Sequence, residues 1–466
     1  MSESSLRPPL QLAGPSEPLP SRWSGYVALV AVCLLSVGLS FVFLGMGALS
    51  LPALAILGTL TVTVIVLRPE WMTIVAGMLL FFPGKRPVFP HEILLGLLFF
   101  MTVIDGIRRR DRSLLLFDRV EVANLAFVAW ALVTVLWITD FRIYLHGVRR
   151  LMGGVLAFWV AYRLARSVPR RTYELSLLAT AYGLACSALG QYMIKTGFMR
   201  HHVSRGEATD LGWGKSNTIA TMLLVLGPPI MDMAFRSRSR LVRWLAWPNS
   251  ILNGMMQMII ASRAATALYF GWLYVQLTAG RKRRLVPILI VTVVATAAIL
   301  SPSGQMLLSR FSDLHEMGGM VVRIWYARAA LQRTVEGFPF GIGLNQGFVH
   351  LDKLNTMGTH DYWLDIASEL GVLGIILWVT FLVVLWNRLK AVARTPGWSA
   401  EGTALQIAFW MSALHTCVEP TFIEVHYQFV FFWVIGGYLG YHAIGATREA
   451  EEAREALERR PRGRAA

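Results

Sequence analysis

Apolar residues run along this chain in blocks of nearly constant length, and short polar or basic connections separate them. Blocks such as 122–138, 285–300, 370–386 and 422–441 have about the 17 to 25 residues needed to cross a hydrocarbon layer roughly 30 Å thick. In such a layer every backbone N–H and C=O must be satisfied inside its own segment, so the blocks predict helices. Threaded together, they predict about fourteen crossings, near 24–44, 48–67, 70–83, 91–107, 120–139, 147–165, 173–194, 215–235, 243–261, 264–280, 285–301, 368–388, 402–418 and 421–442. The block 70–83 is short enough to be re-entrant. The division at 261–263 follows from length: the 37 residues between Arg243 and Arg281 would make a helix of about 55 Å, too long for one bilayer. Ala261-Ser262-Arg263 carries the only charge there, and the turn is expected at it.

The fold expected is therefore all-α, a polytopic integral membrane protein of about 12–14 transmembrane helices. Its divisions are a disordered tail over 1–23, a helix bundle over 24–301, a large loop carrying short helices over 302–367, C-terminal membrane helices over 368–442 and a charged tail over 443–466. The first 23 residues are rich in Pro and Ser and lack the basic-then-apolar order of a signal peptide.

Composition agrees: 55% of the 466 residues are hydrophobic and 15% are charged, against about 25% charged in an average soluble domain. A net charge of +16 raises the question of nucleic acid, but the basic residues punctuate helices and do not cover one face. Clusters at 108–112, 163–171, 236–243, 281–284 and 388–394 mark the cytoplasmic side by the positive-inside rule, and both termini fall there. On the other side, 195–215 and 302–367 are the long connections, and long connections tend to carry function. Cys33, Cys186 and Cys417 lie singly inside apolar runs, which offers neither a disulfide framework nor a CxxC site. There is no Asp-x-Asp motif and no His or Cys group with zinc spacing, so no metal or other cofactor is expected.

Candidate chemistry gathers late in the chain. Arg263 has two readings, a functional guanidinium or an interfacial anchor whose charge snorkels to the surface. Asn249, Asn253 and Gln257 recur every four residues and share a helix face, as expected for hydrogen bonding between helices. Over 320–335 a helix is expected with Val321, Ile324, Trp325 and Val335 on a broad apolar face, Arg323 pointing away, and small residues beside it. A solvated loop arginine is the alternative for Arg323. The glycine-rich run 337–347 has the spacing GxGxxxG without a βαβ context, which reads as a turn that lets backbone approach a ligand or another helix. The run from Thr359 to Gly371 then brings His360, carboxylates and the rings of Tyr362 and Trp363 to the start of an apolar block. Histidine titrates near neutrality and suits proton removal from a sugar hydroxyl, although a lone histidine also serves in packing.

Taken in order, Gly212-Trp-Gly-Lys-Ser-Asn217, Ser262-Arg263, Arg323 ahead of Gly341-Ile-Gly343, His360-Asp361 and Glu369-Leu-Gly371 resemble the blocks of the O-antigen ligase and Wzy-type polysaccharide polymerase superfamily. The similarity covers roughly 205–390, with Asp361 at the position of the family's Asn. The resemblance implies a metal-independent glycosyltransferase of the bacterial inner membrane, acting on its periplasmic face. Its donor would be an undecaprenyl-diphosphate-linked oligosaccharide. Its acceptor would be lipid A-core in a ligase or the growing glycan in a polymerase, the latter with a chain-length regulator as partner. His360 would be the base and Arg263 and Arg323 the diphosphate clamps. Arg150, Asn217, Asp361, Tyr362 and Trp363 would bind substrate, with Asp361 orienting His360 and the two rings stacking on sugar. A polytopic transporter or glycolipid flippase is the alternative; it would be expected to show repeated halves, and none is evident.

Overall fold

The computed structural model describes residues 90–108, 117–196, 216–260, 262–278, 317–347, 349–352, 355–357, 361–417, 419, 422 and 424–459. The expected tail 1–23, the crossings 24–44, 48–67, 70–83 and 285–301, and most of the connection 195–215 lie outside them.

Eleven helices are found among the described residues: α1 Pro90–Arg108, α2 Arg119–Val133 with a 3-10 turn Thr134–Leu136, α3 Phe141–Leu164, α4 Arg170–Thr196, α5 Ser216–Arg236 and α6 Arg240–Ile260. They continue with α7 Arg263–Thr278, α8 Met317–Glu336, α9 Tyr362–Arg394, α10 Ser399–His415 and α11 Val425–Arg459. The break between α6 and α7 falls where the length limit requires it. Among the described residues, four stretches are long and apolar enough to cross a membrane: Arg119–Leu136, Asn217–Arg236, Tyr362–Arg394 and His426–Ala446.

Several boundaries differ from expectation, and each difference has a local cause. Helix α3 begins at Phe141, six residues before the crossing expected at 147, because Asp140 accepts from the Arg142 and Ile143 N–H groups and caps a first turn too polar for hydropathy to register. Residues 362–367, assigned above to the outer loop, belong to α9, since Asp361 accepts from the Trp363 and Leu364 N–H groups. Among the described residues of the loop is a 20-residue helix, α8, longer than the short helices expected there. The loop also departs from all-α: strands β1 (Val349–Asp352) and β2 (Asn355–Met357) form an antiparallel ribbon. The charged C-terminal segment continues α11 as helix to Arg459.

The core is a bundle in which α11 lies along α3, α6 and α10 flank α5, and α9 packs between α2 and α10. Gly436 and Gly440, four residues apart on α11, make the α3–α11 contact close: a Cβ on Gly440 would sit 2.2 Å from the Tyr162 carbonyl oxygen, and one on Gly436 2.8 Å from that of Phe158. Two residues of the polar stripe of α6 bond between helices as expected, while the buried amide of Asn249 makes no hydrogen bond among the described residues. Asn253 donates to the Leu223 carbonyl and Gln257 to the Ala220 carbonyl of α5, each at 2.9 Å. Along α9, Gly374, Trp378, Phe381 and Leu385 are buried while Val372, Ile376, Val379 and Val383 are exposed, so both faces of this helix are apolar.

Charged groups gather at two ends of the bundle. At one, Arg163 pairs with buried Glu121 and lies 4.3 Å from the Trp159 ring, while Arg170 reaches Glu174 at 2.9 Å and Glu401 at 2.7 Å. The other end holds Asn217, Arg150 and Arg323. On α3, Arg150 and Arg163 mark the two ends, separated by thirteen residues or about 20 Å of helix.

Candidate functional site

The kink in α9 organises the candidate end. Gly371 adopts φ 65° and ψ −160°, which divides the helix and leaves carbonyls before it without helical donors. The glycine-rich run fills the gap. Ile342 N–H donates to Ser368 O and Gly343 N–H to Glu369 O, each at 2.9 Å, and Val372 N–H donates to Pro339 O at 3.0 Å. The Trp130 indole N–H takes Leu370 O at 2.8 Å, and that of Trp137 takes Gly341 O at 3.0 Å. A Cβ on Gly371 would stand 2.2 Å from Pro339 O, and one on Gly341 2.3 Å from Glu369 O. Of the two readings left open for this run, close approach to a helix is the one observed.

Glu369 holds the end of the run with its side chain, accepting from Asn345 N–H at 2.6 Å and Gly347 N–H at 3.2 Å. Asn345, at φ 60°, is set against α3: its amide donates to Ile143 O at 2.7 Å and its Oδ1 accepts from Arg150 at 3.3 Å. Gly147 allows this approach, because a Cβ there would be 2.8 Å from the Asn345 Cβ. Arg150, Asn345, Tyr362, Asp365, Glu369 and Gln428 contribute the polar lining of a small cavity of about 40 Å³. A water needs about 10–15 Å³ of such space, so the cavity has room for small polar groups such as waters, hydroxyls or a phosphate oxygen. The acidic groups of Glu424, Glu369 and Asp365 bear electrostatically on Arg150.

A second network lies at the same end. Arg323 on α8 pairs with Glu419 at 2.8 Å, and Asn217 at the start of α5 donates its amide to the same carboxylate oxygen at 2.7 Å. One turn deeper, Thr221 on α5 meets buried His415 on α10 at 3.0 Å. The two networks adjoin through the stretch between α10 and α11: Tyr362 N–H donates to Thr416 O at 3.2 Å, and Phe422 lines the cavity.

The sequence candidates divide as follows. Asn217 and Arg323, over a hundred residues apart, share one partner. Arg150 lines the cavity. Arg263 is the first residue of α7, beside α5. His360 lies outside the described residues. Asp361 caps α9 with its Oδ1. Tyr362 is buried, its ring 5.2 Å from Trp378 and 5.6 Å from Phe422, so a sugar could reach its face only by displacing core rings. Trp363 is half-buried against the core. Arg323 points from α8 toward the bundle while Ile324, Trp325 and Val335 are exposed, the disposition expected of that helix.

Glu419 and Asn345 were not among the candidates, nor were Asp365 and the carboxylate of Glu369. One signal could have found Glu419: an acidic residue in a two-residue connection between apolar runs, before Pro420, is held close to hydrocarbon, where an ionisable group is costly unless paired. Among the described residues no group of three or more His, Cys, Asp or Glu is placed to hold a metal ion. In comparisons with known proteins, no family model matches the chain and no curated protein sequence matches it.

Proposed function

We propose that the chain is a multi-pass inner-membrane glycosyltransferase that takes oligosaccharide from an undecaprenyl-diphosphate-linked donor on the periplasmic face. It would act as a surface-polysaccharide polymerase or O-antigen ligase. The supporting observation is the gathering of sequence blocks that resemble that superfamily at the end of the bundle remote from Arg163 and Arg170. Asn217 and Arg323 meet at Glu419, and the 341–347 run is seated on Glu369 and Gly371 beside Arg150. The apolar faces exposed on α9 fit lipid surroundings, since a soluble protein rarely leaves such a strip uncovered.

In this reading the acceptor hydroxyl oxygen bonds to the anomeric carbon of the donor sugar as the bond from that carbon to the diphosphate oxygen breaks. The diphosphate leaves with the bonding electron pair, and His360 takes the hydroxyl proton. Arg323, Arg263 and Arg150 supply guanidinium groups, which pair with phosphate oxygens in charge-assisted forks and stabilise the growing negative charge without a cation. In this reading the Arg150 cavity takes small polar groups of the donor, and the body of the glycan lies outside it. Purified protein in proteoliposomes, given labelled undecaprenyl-diphosphate oligosaccharide and acceptor, is expected to transfer glycan in excess EDTA. Turnover that is lost in EDTA and restored by magnesium would assign the diphosphate to a metal and not to the arginines. Labelled glycolipid crossing the bilayer without transfer would favour a flippase.

A further inference from the structure

We infer that Glu419 is a positioning residue, an internal anchor that fixes the guanidinium of Arg323 for an anionic phosphate ligand; this rests on the proposed function for the identity of that ligand. Two helices converge on its carboxylate, which its own backbone ties to the end of a third. It follows α10, its own N–H donating to His415 O at 3.0 Å. It accepts the Asn217 amide from α5 at 2.7 Å and pairs with Arg323 from α8 at 2.8 Å. Exposure separates the two partners of the ion pair: the Glu419 side chain is 11% exposed and that of Arg323 47%. The carboxylate is therefore the buried member of the pair, and the guanidinium keeps exposed surface that a ligand can approach.

Two roles are possible for a carboxylate so placed. As a competitor it would occupy Arg323 and have to leave before an anion binds. As an anchor it would stay, holding a long side chain whose rotamer freedom is otherwise lost only when ligand arrives. Asn217 decides between them: clamped from α5, Glu419 is held in place as a ligand comes to the exposed side of the arginine. The anchor also fixes α8 itself, which faces the bundle with Tyr326 and Ala330 while Ile324, Trp325, Leu331 and Val335 are exposed. A guanidinium set in advance pays less ordering cost on binding.

The two roles predict opposite signs. With full-length protein in phosphatidylcholine nanodiscs and inorganic diphosphate as probe, Glu419→Ala should weaken binding by roughly tenfold, the scale of one charge-assisted hydrogen bond. Glu419→Gln keeps an oxygen that can accept from both Asn217 and Arg323, and should recover part of the loss. Arg323→Gln should weaken binding comparably, and the double variant Glu419→Ala/Arg323→Gln should be little worse than either single one, because both act through one contact. Unchanged or tighter binding by Glu419→Ala, or losses that add in the double variant, overturns the inference. Should Glu419→Ala fail to fold, Glu419→Gln carries the test: binding equal to or tighter than wild type overturns it. A polyisoprenyl diphosphate and the transfer assay are run in parallel. If inorganic diphosphate behaves as expected but no glycan is transferred, the anchor stands and the proposed function falls. Transfer with no effect at Glu419 gives the reverse, and if neither diphosphate binds wild type, both fall.

Discussion

Arg149 and Arg150 are successive residues on α3, set about 100° apart around the helix axis, and that angle separates their surroundings. Arg149 turns to α1 and makes a two-pronged pair with Glu92, its Nε at 2.7 Å. Arg150 turns inward to Asn345 and the cavity beside Glu369. Arg150→Gln is expected to reduce glycan transfer by about tenfold or more at unchanged membrane abundance, the loss of a charge-assisted contact to phosphate. Arg149→Gln should leave transfer within about twofold while removing a partly exposed ion pair, an interaction worth about 1 kcal/mol or less. Equal losses of transfer in the two variants would mean that the cavity side of α3 is not special. His360 is tested separately. If it accepts the acceptor proton, His360→Ala should lower transfer by about 10²-fold or more while donor binding and insertion persist. Transfer near the wild-type rate would remove it as the base.

At the scale of elements, the contact between the glycine-rich run and the α9 kink supports the candidate site. It uses backbone almost throughout: amides of 342 and 343 on one side, carbonyls of 368 and 369 on the other, with the Glu369 side chain closing the end. Gly371 occupies a backbone region that side-chain-bearing residues adopt only at a cost of about 1–3 kcal/mol, and a Cβ there would also meet Pro339 O. Gly371→Ala should therefore lower thermal stability in detergent markedly and abolish transfer together with it. Gly190 on α4 has open space where a Cβ would go, so Gly190→Ala should be neutral or stabilising by up to about 1 kcal/mol, the helix-propensity gain. If both substitutions shift the melting temperature alike, the seat at Gly371 is not structurally critical. The same contact gives the Glu-Leu-Gly block a physical meaning. Glu369 grips the loop and Gly371 makes room for it, so the block is required to place Asn345 beside Arg150.

For the whole molecule, orientation is the decisive quantity. The proposed function requires the Arg150 and Arg323 end to face outward and the Arg163 and Arg170 end to face the cytoplasm, the side expected for the basic cluster at 163–171. In a variant lacking Cys33, Cys186 and Cys417, a cysteine introduced at Lys353 should react with an impermeant thiol reagent in intact spheroplasts, and one at Arg283 only after lysis. The native cysteines must be removed because Cys417 is itself exposed. Labelling at 353 only after lysis would invert the topology and exclude a periplasmic reaction.

The sequence by itself determined the helices among the described residues, because burying apolar blocks of spanning length leaves backbone no other way to satisfy its hydrogen bonds. It also located the α6–α7 break by length, the interhelical role of Asn253 and Gln257 by their period, and the side of α8 that carries Arg323. Starts of helices were less legible where a capped first turn is polar, as at Asp140 and Asp361. Only the tertiary structure decided which charges meet. Asn217, Arg323 and Glu419 are distant in sequence and lie on different elements, and no local pattern encodes that they share a hydrogen-bonded oxygen. The kink at Gly371 is likewise a long-range matter. A glycine at the head of an apolar block reads as ordinary helix until the 337–347 run is present to take the carbonyls that it leaves open.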